Sequence, residues 1–267
     1  RDLIANLAAH PLVTPSVAAH APYSVSAANL VREAELAEEH GVPFQIHLAE
    51  TRWEVQKLLD EKGKSPVAYL ADLGVLSERT VAAHCVHLSP EDIALLAEFE
   101  VKVAHNPVSN LKLASGVAPV PALLASGVTV ALGTDGAASN NTLDLLRDAQ
   151  LAALLHKGSS GDPTVLPART VLDMLTANGA RALGLERRVG TLSPGREADL
   201  VCLSMDGPNA TPTYDPYSHL VCAARSADVR HVLVRGRVVV RERELQTIDL
   251  ERVRAQAGEV ARRVRGL

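Results

Sequence analysis

The amino-acid sequence predicts an α/β protein, part of a (β/α)8 TIM barrel followed by a small β-rich appendage. Three observations lead there. Over the first two-thirds, short β-type runs alternate with helical patterns, as parallel strands joined by crossover helices do. His20, His47, His84, His105 and Asp135 each sit at or just past the C-terminal end of such a run. In a barrel those ends converge on one face, where an active site lies. After Leu185 the texture changes to turn-rich segments and short strands. The competitor is a flavodoxin-like open sheet. It would not gather five successive strand ends around one centre, and no Gly-rich phosphate loop supports it.

The elements follow in order. Residues 16–21 form a short run ending in His20-Ala21-Pro22-Tyr23, and residues 29–40 a helix stopped by Gly41 and Pro43. Residues 44–48 are a strand ending at His47, followed by helical patterns at 52–61 and 65–73. In the second, Ser65 can cap, Pro66 suits the first helical position and Gly74 closes it. Residues 80–85 are a strand ending near His84. Ser89-Pro90-Glu91-Asp92 then opens a helix like a capping box, with Ile93, Leu96 and Ala97 on one face. Strands at 101–104 and 128–132 lead into His105 and into Gly133-Thr134-Asp135-Gly136. Long helices are expected at 142–156 and 168–183. The turn-rich Gly190-Thr191-Leu192-Ser193-Pro194-Gly195 introduces a strand at 198–203 and a hairpin of 231–234 and 238–241 around Arg235-Gly236-Arg237. An Arg-rich amphipathic helix at 250–264 ends the pattern. The expected division is residues 1–188 for the barrel portion and 189–267 for the appendage.

Composition agrees. A chain of 267 residues that is 47% hydrophobic can bury a sizeable core. Aromatic residues are only 3%, so Ala, Val and Leu must fill it. A net charge of −4 gives no reason to expect nucleic acid or an anionic membrane as partner. The basic bias after Arg225 reads as a solvated strand and helix face. Cys85, Cys202 and Cys222 are scattered and odd in number with no C-x-x-C, which argues against a disulfide framework and for a reducing cytoplasm. No apolar run is long enough to span a bilayer, and no signal-peptide pattern opens the chain. A start at Arg1 rather than Met points to a missing beginning.

The candidate chemistry centres on His47-Leu48-Ala49-Glu50. Imidazole is a good zinc ligand, and a carboxylate in the following turn can shuttle a proton to a leaving group. Asp135, hedged by glycines at a strand end, can ligate a divalent ion and accept a proton. His84, on a strand between them, can hold an attacking water or polarise a developing alkoxide. His20 can donate a hydrogen bond to substrate. His105-Asn106-Pro107-Val108-Ser109-Asn110 is a polar strand-end loop expected to shape the site rather than ligate, and His87 is expected to be structural. His10, His40, His156, His219 and His231 read as ordinary surface or packing residues. Other chemistries lack their residues. The cysteines have no evident His partner, there is no G-x-S-x-G elbow, and the small zinc deaminases' P-C-x-x-C is missing.

Together these motifs resemble the amidohydrolase superfamily. They are His47-Leu48-Ala49-Glu50-Thr51, Ala83-His84, His105 through Lys112, and Gly133-Thr134-Asp135-Gly136-Ala137-Ala138-Ser139-Asn140-Asn141. The subgroup they are similar to contains 5-methylthioadenosine/S-adenosylhomocysteine deaminases and triazine chlorohydrolases. Gly190-Thr191-Leu192 through Ala198-Asp199-Leu200 resembles the family's re-entry into its β-sandwich. The resemblance implies a metal-dependent hydrolase barrel with part of a small β-sandwich domain. It implies that His47 and Asp135 are metal ligands and that Glu50 is the proton shuttle, contacting the substrate base. It further implies that His84 assists the attacking water, that His20 contacts a nucleoside, and that Asp135 doubles as base and substrate contact. One zinc is implied, with iron or manganese as the alternatives, and the reaction is loss of ammonia from an adenine nucleoside. The family's H-x-H ligand pair does not occur in this sequence.

Two alternatives stay open: a hydrolase acting on another ring, such as a triazine or guanine, and a catalytically incomplete fragment with a structural role. A homo-oligomer is compatible with all three. Five strands cannot close an eight-stranded barrel, so the 267-residue chain alone is expected to be inactive and to expose a strand edge.

Overall fold

The computed structural model describes residues 1–7 and 9–266. Its larger sheet holds β1 (Val17–Ala18), β2 (Phe44–Leu48), β3 (Thr80–His84), β4 (Lys102–His105) and β5 (Val130–Leu132). All neighbours are parallel, and the spatial order is β1-β2-β3-β4-β5. Strand order that follows chain order has no reversal point, so the open doubly wound alternative is excluded. What remains is an arc of barrel wall with helices between successive strands. Pairing of Leu48 with His84 and of His105 with Leu132 brings the C-terminal ends of β2 to β5 level with one another.

Local chemistry fixes the helices. Ser26 caps Ala27–His40, and Gly41 ends it with φ +63°. Thr51 with Glu54 and Ser89 with Asp92 form capping boxes for Arg52–Lys62 and Pro90–Glu98. Ser65 caps Pro66–Asp72 as its sequence predicts. The core is aliphatic: Leu30, Leu48, Leu58, Leu70, Leu96, Leu123 and Met174 are fully buried, with Phe44 as its large aromatic. Each such side chain contributes about 1.5–3 kcal/mol of burial.

Three expectations need correction. The helix expected at 142–156 runs Leu145–Ser160, because Asp144 takes the capping position and accepts from the backbone N–H of Leu146 and Arg147 at 3.1 and 3.3 Å. The helix expected at 168–183 is two, Ala168–Leu175 and Ala177–Ala182, broken at Thr176 (φ −123°, ψ −85°). Thr176 Oγ1 donates back to the Leu172 carbonyl at 2.7 Å, and past the break the Asn178 amide donates to the Val130 carbonyl at 2.9 Å, anchoring the second piece on β5. The strand expected at 128–132 begins only at Val130. The short helices Pro107–Lys112, Ala137–Asn140 and Pro216–Cys222 were too brief for a periodic pattern to reveal, although Pro stands in the first turn of the first and third.

The second sheet is antiparallel: β6 (Leu200–Leu203), β7 (Val229–Val234), β8 (Arg237–Arg241) and β9 (Glu244–Leu245). The expected hairpin is the β7–β8 pair. Arg235 and Gly236 both take positive φ, 49° and 77°, as a two-residue turn matching strand twist requires. The closing helix Leu250–Arg265 buries no residue. Among the described residues, no helix is long and apolar enough to cross a membrane.

Candidate active site

Three strand ends depart from ordinary backbone geometry. Ala49 (φ 50°) follows β2, His84 (φ 73°) and Cys85 (φ 49°) end β3, and Asp135 (φ 60°) lies beyond β5. A left-handed conformation costs a non-glycine residue about 1–2 kcal/mol. Such residues collect where the chain must aim a side chain. Here the aim is common: ligand atoms of His47, His84 and Asp135 lie within 4.8 Å of one another. The His47 and His84 rings stack with centroids 5.4 Å apart, and His20 stands 5.3 Å from His47 on the other side. Glu50 Oε2 is 3.7 Å from His84 Nε2. His20, His47, Glu50, His84 and Asp135 therefore meet at the strand ends, whereas His105, the remaining strand-end residue, does not join them.

Each is braced. His47 Nδ1 donates to the His20 carbonyl at 2.7 Å, which leaves Nε2 with its lone pair. His84, almost completely buried, places Nδ1 2.8 Å from Asn110 Oδ1, so the second imidazole also keeps Nε2 free. Glu50 Oε1 accepts from Ser115 Oγ at 3.0 Å. Asp135 Oδ2 accepts from Ser109 and Ser139 hydroxyls at 2.7 and 2.6 Å, and Oδ1 from the Gly136 N–H at 2.7 Å. Burial alone would raise the Asp135 pKa. The hydrogen bonds from Ser139, Ser109 and Gly136, with His84 nearby, outweigh it and hold the carboxyl below its usual value. His20 Nδ1 lies 2.6 Å from Ser24 Oγ, and its ring meets Tyr23 edge-on, which in turn meets Trp53. Burial, then the charges of Glu54 and Glu50, push the Tyr23 pKa up.

Of the bracing residues, Ser109 and Asn110 lie in the loop expected to shape the site, and they do so through Asp135 and His84, whereas Ser115 and Ser139 were given no individual role in the sequence. Ser109, Asn110 and Ser139 stand in the polar runs His105–Asn110 and Gly133–Asn141, whose density of Ser and Asn was the available signal. Ser115 carried none. His87, expected to be structural, binds the Ser115 carbonyl through Nε2 at 2.7 Å. His105 is fully buried and turns away from the cluster to meet His156, Nε2 to Nε2 at 3.2 Å. His156, read as a packing residue, is thus part of a buried pair. Close approach of the two polar loops also requires Gly133, where a Cβ would lie 2.3 Å from Asn106 Oδ1.

What this arrangement can do follows from its donors. Two imidazole nitrogens and a carboxylate, each oriented by a second hydrogen bond, are the ligand types that divalent zinc prefers. A separate carboxylate stands beside them.

Comparison with known proteins agrees with this chemistry. The chain is 50% identical over 255 residues to the 5-methylthioadenosine/S-adenosylhomocysteine deaminase of Syntrophobacter fumaroxidans, covering 96% of this chain and 58% of that protein. It is 49% identical over 230 residues to the 5′-deoxyadenosine deaminase of Methanothermobacter thermautotrophicus, covering 86% and 53%. The chain thus spans a little over half the length of these relatives. The crystal structure of a zinc-bound adenosine deaminase from Xanthomonas campestris superposes with a TM-score of 0.97 at 38% identity, over 100% of this chain and 61% of that one. The atrazine chlorohydrolase of Arthrobacter aurescens, complexed with zinc, gives 0.88 at 28% identity, over 97% and 58%. Both exceed this chain in length, so the five-stranded arc is part of their fold. The amidohydrolase family pattern matches residues 2–239, and the chain belongs to that family.

Proposed function

We propose that the full-length protein deaminates the adenine ring of a nucleoside, S-adenosylhomocysteine, 5′-methylthioadenosine or adenosine, with release of ammonia. The observation that carries this reading is the convergence of His47, His84 and Asp135 beside Glu50. The names of the relatives favour an adenine nucleoside as substrate. In this reading residues 1–188 form the barrel portion and 189–267 the appendage, and the protein works in the cytoplasm.

His47 and Asp135 would hold one divalent ion, zinc first and iron or manganese as alternatives. Once bound, it would supply Lewis-acid polarisation and lower the pKa of water at the site. His84 lies within reach of the same ion, but its Nε2 faces Glu50, and we assign it to the reacting water. Its Nδ1–H is engaged by Asn110, so Nε2 presents a lone pair to a water proton. Glu50 moves one of the attacking water's two protons to the departing amine, which leaves as ammonia when the ring C–N bond breaks, and Asp135 takes the other, which ends on the adjacent ring nitrogen of the product. Asp135, kept ionised by its three donors, serves as base and touches the substrate. His20 contacts the nucleoside from the rim.

A substrate panel tests this. Full-length protein is expected to release ammonia from the three nucleosides, to lose that activity on removal of metal by a chelator, and to regain it when zinc is restored. Hydrolysis of a triazine or of guanine without turnover of the nucleosides would move the assignment to the other ring. A metal-loaded protein that turns over neither would leave the structural role standing.

A further inference from the structure

Asp148 takes no part in the steps above, yet it is completely buried. An ionised carboxylate in a core is costly unless its oxygens are engaged. Both of its oxygens are. Oδ1 accepts from the backbone N–H of Val108 at 3.3 Å, and Oδ2 from the Asn140 side-chain amide at 3.0 Å. The two donors belong to different strand-end loops. Val108 stands in the helix Pro107–Lys112, whose Ser109 donates to Asp135 and whose Asn110 engages His84. Asn140 ends the helix Ala137–Asn140 that follows Asp135. Its amide also donates to the Thr134 carbonyl at 2.9 Å, and its Oδ1 accepts from Thr142 at 3.1 Å. A single carboxylate on the helix Leu145–Ser160 therefore bridges the loop that orients His84 and the loop that carries Asp135.

We propose that Asp148 is a positioning residue for the active site, holding those two loops in the register that sets the Asp135 carboxylate against His47 and His84. The inference rests on the reading that His47 and Asp135 bind the divalent ion. The chemistry of the bridge is specific. Two N–H donors converge on one side chain, and only a group with two acceptor atoms answers both. An asparagine of the same shape offers one acceptor and one NH2, so it must present a donor to Val108 or to Asn140 and release one loop.

The test uses the full-length protein with three measurements: zinc affinity by chelator competition, the absorption spectrum of the cobalt(II)-substituted protein, and kcat and KM separately. For D148N we expect about tenfold weaker zinc binding or more, a shifted cobalt spectrum, and a fall in kcat larger than any change in KM, in the range typical of residues that orient metal ligands. A D148N protein with wild-type affinity, spectrum and kcat overturns the proposal. Should D148N not fold, N140A cuts the same bridge from the other loop, and wild-type behaviour there overturns it equally. Wild-type protein that binds no zinc fails the underlying reading instead, so the two failures are distinguishable.

Discussion

Glu50→Gln in the full-length protein is expected to cut turnover about 10²–10⁴-fold, the range of general acid–base catalysis, while zinc content stays near wild type. That corresponds to about 3–5 kcal/mol of lost transition-state stabilisation. The amide keeps the shape of the side chain and an oxygen for the Ser115 hydroxyl, so the local hydrogen bond survives. What it cannot do is carry a proton between the attacking water and the departing amine. Steady-state kinetics with elemental analysis reads both halves. Near-normal turnover in a metal-loaded variant would take Glu50 out of the mechanism.

Asp135→Ala is expected to be more severe and different in kind, with zinc lost on dialysis against a chelator and turnover at background. The substitution removes a ligand and a base together. It also strands three donors, from Ser109, Ser139 and Gly136, that now converge on that carboxylate. The contrast with Glu50→Gln separates the residue that moves protons from the one that also holds the ion. A purified Asp135→Ala protein that stays loaded and active would show the ligand assignment to be wrong.

The barrel arc was legible because each β-run ended in a chemically unusual residue, and parallel strands bring such ends together. His47, Glu50, His84 and Asp135 needed no more than their positions relative to those runs, with the motif resemblance supplying roles. Boundaries failed where a side chain overrode periodicity. Asp144 took the capping position inside the span expected to be helical, and the helix expected through 183 breaks at Thr176, whose hydroxyl bonds backward to Leu172. The supporting polar contacts were not legible, because they depend on which loops touch. Nothing in the sequence says that Ser115 reaches Glu50, 65 positions away, or that Asp148 meets Val108 across 40. The His105–His156 contact spans 51 positions and joins two residues that reveal no common purpose when read in order.

That contact sets a limit on the acid side. Two imidazoles facing each other through nitrogen need one hydrogen between two lone pairs and have no room for a second charge. Burial, then the neighbouring His156 and His84, holds His105 down at about 3, and burial holds His156 at about 4. In the unfolded chain both would titrate near 6.5. Folded pKa values below the unfolded ones mean that the unfolded state takes up protons first. The pair's contribution to stability is therefore present above about pH 6.5 and is lost with acidification, by about 1.4 kcal/mol per pH unit for each histidine. His156 stops contributing to the decline near pH 4 and His105 near pH 3. Through this pair the proton behaves as a ligand of the unfolded chain, and mild acid acts on the junction between β4 and its covering helix as a denaturant would.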